Sequence, residues 1–200
     1  MLPLFLILLL LCGCDAGPSA PQEQWHQIAD RSNNFIYRIK APSHLGRREE
    51  IPVTEDTRFP IAEFSIEPNV VITIHNFPFQ KIAPEAQVSR WRNQLTDIDA
   101  QSIKVSPQHF GGYVGYLFEA QGSRKSTPTK IMGWALQLAP EHDASVKANY
   151  YGKEQDHLEQ LRADITIKAV GDPKIMQKYR NDLIKFAQNF ELIEELPTLP

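Results

Sequence analysis

From Phe35 to Val170 the large apolar residues fall into short runs, most of them alternating or β-branched, with only one helical stripe among them. Phe35, Tyr37 and Ile39 alternate with Arg38 and Lys40. Residues two apart in an extended chain share a face, so this run reads as a half-buried strand. Ile61 to Ile66 alternates less cleanly, and Val70 to His75 is β-branched enough to be more deeply buried, with Pro78 ending it. Gly111-Gly112 turns the chain into Tyr113 to Ala120; Ile131 to Leu138 puts Met132, Trp134, Leu136 and Leu138 on one face; Ala163 to Val170 closes at Gly171. Two amphipathic helices stand out. Pro84 and Glu85 start the first, with Val88, Trp91 and Leu95 along one stripe. Asp172 caps the second, Pro173 fits its first turn, and Ile175, Met176, Tyr179, Leu183, Phe186 and Phe190 form its apolar side. Most links between strands are too short for a helical crossover, so the sheet must be mainly antiparallel. The fold class that follows is α+β, a mainly antiparallel sheet with helices packed on its faces.

A separate constraint precedes this pattern. Every residue from Leu2 to Leu11 is apolar. Ten residues are half of the roughly 20 that span a bilayer as a helix, and match the roughly 7–15 of a signal-peptide core. The run leads into Leu11-Cys12-Gly13-Cys14, which resembles the lipobox of bacterial lipoproteins. The resemblance implies a signal peptide over residues 1–13, cleavage before Cys14, and palmitate or a similar acyl chain on that cysteine. The domain would then sit on the periplasmic or external side of a bacterial membrane, held by its lipid anchor. Residues 14–24, rich in Pro, Gly and Ser, read as a flexible tether; 25–193 form a single α+β domain; 194–200 are a loose tail. Cys12 and Cys14 are the two cysteines of the sequence, so cleavage would leave one, and neither an internal disulfide nor a disulfide-linked partner is expected.

Trp91 within Arg90-Trp91-Arg92-Asn93-Gln94-Leu95, then Gly133-Trp134, then Arg162 to Gly171 and a closing helix ending near Phe190, together resemble a PsbP-like or Mog1-like layout. The arrangement is also similar to that of uncharacterised lipoproteins of intracellular bacteria. Members of this fold serve as assembly factors, subunits and adaptors. The resemblance implies a non-enzymatic binding or assembly module in the cell envelope, with an envelope protein as partner, and carries no catalytic motif.

The chemistry-bearing residues agree with that implication. A net charge of −3 gives no long-range attraction to phosphate backbones, so no nucleic-acid partner is expected. The six histidines contain no zinc-type pair; His142 and His157, 15 apart, are the nearest in sequence. There is no G-x-S-x-G elbow and no phosphate-binding glycine loop, and no cofactor or metal is expected. The interaction candidates are two long loops. Gln121 to Lys130 carries Arg124, Lys125 and Lys130; Ala139 to Leu161 carries Tyr150 and Tyr151, with a short helix near Asp156 to Leu161. In Arg90-Trp91-Arg92 the tryptophan belongs to the core, and Arg90 either pairs with an acid or rims a groove. The alternative is a hydrolase-like enzyme or ligand-binding protein whose site assembles from His75, His109 and Glu119.

Overall fold

The structure is a computed structural model that describes residues 22–29, 35–48, 58–66, 68–78, 80–161 and 163–192. The signal peptide, Cys14, most of the tether and the tail lie outside these residues.

The α+β architecture with antiparallel pairing is as the residue periodicity predicts. β1 (Glu23–Ala29), β2 (Phe35–Pro42) and a closing strand β10 (Phe190–Leu192) make a small sheet in the order β1-β2-β10. The large sheet takes β3 (Gly46–Arg47), β4 (Ala62–Ile66), β5 (Val70–Phe77), β9 (Asp164–Gly171), β8 (Thr127–Leu138), β7 (Tyr113–Arg124) and β6 (Lys104–Phe110), side by side in that order. Each pairing in both sheets is antiparallel. The long ribbon β7-β8 follows β6, and β9 returns through α2 (Pro140–Asn149) and α3 (Gly152–Leu161) to lie between β5 and β8.

The period of two assigns each face. On the inner face Ile72 and Ile74 of β5, Ile165 and Ile167 of β9 and Met132, Trp134 and Leu136 of β8 are buried together with Tyr37 and Ile39 of β2. Each such side chain contributes about 1.5–3 kcal/mol on leaving water. Two short helices, α4 (Pro173–Lys178) and α5 (Arg180–Gln188), complete this core with Met176, Leu183 and Phe186. Phe64 joins the layers edge-on, its ring 5.0 Å from Phe186 and 5.4 Å from His26.

The outer face carries one helix, α1 (Pro84–Arg92), over its β7–β8 half. Trp91, Leu95, Phe118, Ala120, Ile131 and Ala135 form a second core there. Trp91 lies flat on β8 because Gly133 has no side chain: a Cβ at that position would fall 2.4 Å from Trp91 Cζ3. Both ends of α1 are tied to the sheet. Asp164 Oδ2 accepts from Ile82 N at 2.8 Å, and Thr96 bridges to Ser123 at the end of β7.

Several expectations are corrected. The closing helix is two helices, because the backbone at Tyr179 (φ −100°, ψ 15°) leaves helical geometry where its ring stacks on His44 at 4.8 Å. Asp172 caps the first of them, accepting from Lys174 N and Ile175 N, and the apolar stripe runs across both. The stretch 121–130 is no long loop: strand pairing runs to Arg124 and Thr127, and Lys125 and Ser126 alone make the turn, at φ 50° and 62°. A primed turn needs positive φ at both positions and normally advertises itself with Asn or Gly; Lys-Ser conceals it. Residues 139–161 hold two helices rather than one short one. Strand β1 starts at Glu23, inside the stretch read as tether, and β6 was not foreseen, because Pro107 interrupts it. A proline fits there because β6 is an edge strand.

The Trp91–Gly133 contact makes a prediction. Gly133→Ala should lower the unfolding free energy by about 2 kcal/mol, the usual scale of overpacking, seen as a lower denaturant midpoint. An unchanged midpoint would mean that α1 shifts without cost.

Candidate functional site

Among the described residues, no helix lies over the β5–β9 half of the outer face. Alternation along β5 points Val71, Thr73, His75 and Phe77 outward, and β9 contributes Lys168 and Val170. Arg90 of α1 and Arg124 of β7 reach over this surface from one side, and Arg58 and Pro60 border it from the other. Together these residues enclose an open groove of about 560 Å³. Its floor is mixed: Val71, 44% exposed, and Val170 lie beside Thr73, His75 and Lys168.

The charge in the groove is one-sided. Arg58, Arg90, Arg124 and Lys168 line it, and no carboxylate does among the described residues. Burial, reinforced by the charges of Arg124 and Arg90, pushes the Lys168 ammonium down to about 8. Its Nζ reaches Gln94 Oε1 at 3.5 Å, a neutral acceptor. The folded chain therefore gives up this proton earlier than the unfolded chain, whose lysine keeps its ordinary 10.5. Between those values the unfolded state binds more protons, so stability rises with pH. Lys168→Met should flatten that rise in unfolding free energies measured from pH about 8 to about 10.5.

The inner side carries a contrasting cluster. Burial pushes the Glu119 carboxyl up, yet two hydrogen bonds and the charge of Arg180, aided by Lys130, outweigh it and hold the group below its ordinary value. Arg180 donates through Nη2 at 2.6 Å and Nε at 3.1 Å, and Lys130 Nζ stands 3.3 Å away. Lys130 also donates to Gln177 at 3.2 Å. These charges border a polar cleft of about 410 Å³ with Ser102, Lys104 and Gln121. Because the cations are already met by a buried acid, the cluster reads as a clasp between β7 and α5. Glu119→Gln should cost about 3 kcal/mol at neutral pH, the scale for removing one partner of a buried pair. A depressed carboxylate stabilises above its unfolded pKa and loses the effect as pH falls through the folded value. The gap from wild type should therefore close in acid urea titrations.

The residues singled out from the sequence separate. Arg124 joins the groove, Lys125 forms the turn, and Lys130 faces the opposite side of the sheet with Glu119. Tyr150 and Tyr151 lie at the α2–α3 junction, Tyr151 77% exposed. Arg90 rims the groove while Trp91 is buried, which resolves that cluster. The three residues named for an assembled site, His75, His109 and Glu119, do not come together. Glu119 faces inward. His75 on β5 and His109 on β6 are four strand steps apart, roughly 19 Å at about 4.8 Å per step, too far to share a proton. Among the described residues no three His, Cys, Asp or Glu side chains gather as a metal site needs, and no helix is long and apolar enough to cross a membrane. Lys168 was missed, although a lysine inside Ile165-Thr166-Ile167-Lys168-Ala169-Val170 is the anomaly that marks it.

No protein-family profile matches the sequence, and no curated protein matches it. Among solved structures, the chain is similar to LpqN of Mycobacterium tuberculosis, described as involved in cell envelope biogenesis. The TM-score is 0.50 at 8% identity, over 85% of this chain and 91% of that one. It is also similar to PsbP of Synechocystis sp. PCC 6803, at a TM-score of 0.48 and 12% identity, over 91% of this chain and 98% of that one. The likeness to LpqN is one of fold.

Proposed function

We propose that the protein is a non-enzymatic binding module of the bacterial cell envelope, tethered by lipid on Cys14, whose ligand surface is the open groove over β5 and β9. The observation that carries the binding half is the groove itself: a sheet face that, among the described residues, carries no helix and is lined by Arg90, Arg124 and Lys168 with no carboxylate. The tether rests on Leu11-Cys12-Gly13-Cys14 after the apolar run. Each buried CH2 of an acyl chain adds about 0.8 kcal/mol, so two or more chains hold a domain permanently. The role described for LpqN fits an envelope setting. The dispersal of His75, His109 and Glu119 supports binding over catalysis.

Labelled palmitate fed to cells expressing the wild type and Cys14→Ala tests the address. Label should enter the wild type and be absent from the variant. Label in neither, or equally in both, would remove the tether from this reading.

A further inference from the structure

The composition of the groove specifies a ligand class. Elsewhere on the same sheet, cations meet acids: Arg48 pairs with Glu63 at 3.2 Å and Lys130 with Glu119 at 3.3 Å. In the groove, Arg90, Arg124 and Lys168 crowd one another instead. Like charges brought together beside a half-buried lysine raise the free energy of the empty site, and an anion placed among them lowers it. Arginine forks suit the planar or tetrahedral oxygens of carboxylate and phosphate. Beside these charges lies an apolar strip. Val71 and Val170 are register partners on adjacent strands, and Phe77 lies farther along β5. A volume of about 560 Å³ falls within the roughly 300–1,000 Å³ of small-molecule sites. It suits a headgroup with a short length of chain better than a macromolecular surface.

We infer that the groove binds an anionic amphiphile, its single phosphate or carboxylate held by Arg90, Arg124 and Lys168 and its hydrocarbon laid on Val71 and Val170. This rests on the binding-module reading and names its ligand, but it does not need the lipid on Cys14.

The full chain, purified in a non-ionic detergent, is titrated with hexyl phosphate, inorganic phosphate and hexanol, with phosphorus NMR following the first two and protein chemical shifts the third. Hexyl phosphate should saturate one site and bind about tenfold tighter than inorganic phosphate, because the chain covers the apolar strip. Arg90→Glu and Arg124→Glu, both at exposed positions, should each weaken hexyl phosphate about tenfold, with the thermal midpoint unchanged as a check on folding. Val71→Ser should weaken hexyl phosphate and leave inorganic phosphate as it was. Hexyl phosphate binding that ignores both arginine reversals, or hexanol or inorganic phosphate binding as tightly as hexyl phosphate, would overturn the assignment. Repeating the titration in nanodiscs separates two sources of the same chemistry. Weaker apparent binding in phosphatidate discs than in phosphatidylcholine discs marks a membrane lipid as the ligand, and equal binding marks a soluble amphiphile. Groove binding without palmitate labelling would remove the tether alone; labelling without groove binding would remove the ligand alone.

Discussion

The contact between Trp91 and the bare Cα of Gly133 decides how the outer face of the sheet is used. A tryptophan laid flat on a strand needs a glycine beneath it, and only Gly133 supplies that along the stretch of β8 under α1. Placing Trp91 there sets α1 over β7 and β8, and the ties from Asp164 to Ile82 and from Thr96 to Ser123 keep it there. Nine helical residues, about 13 Å of axis, cannot also cover β9 and β5. That α1 leaves this half open, and that Arg90 projects over it, follow from that one packing choice.

Two lysines show how much a face matters. Gly171 of β9 pairs with Lys130 of β8, and Lys168 stands three residues away on β9. Lys130 points inward, meets Glu119 and becomes part of a clasp that locks α5 to the ribbon. Lys168 points outward, is partly stripped of water, and has arginines for company. The first arrangement stabilises the fold at neutral pH. The second opposes it, as the fall of the Lys168 ammonium to about 8 records.

Much of the fold was legible because it is local. Period-two alternation located β2 and β8, a β-branched run located β5, a run closed by Gly171 located β9, and Asp172-Pro173 marked the start of α4 from capping chemistry alone. Trp91 declared itself core by its place on a helical stripe. What escaped did so for identifiable reasons. β6 holds a proline that only an edge position tolerates, and edge position is a property of the assembled sheet. The β7–β8 turn uses Lys125 and Ser126, residues that give no turn signal. Arg124, Lys125 and Lys130 look like one basic loop in sequence, yet pairing in register sends Arg124 and Lys130 to opposite faces.

The groove divides the same way. The sequence by itself determined the apolar alternation, the antiparallel class and the presence of a lone lysine in a β-branched strand, since each depends on neighbours within a few residues. Only the tertiary structure decided that Arg90, Arg124 and Lys168, drawn from a helix, a ribbon and a distant strand, meet on one face of the sheet. Sheet order and helix placement are set by long-range packing, which spacing along the chain does not encode.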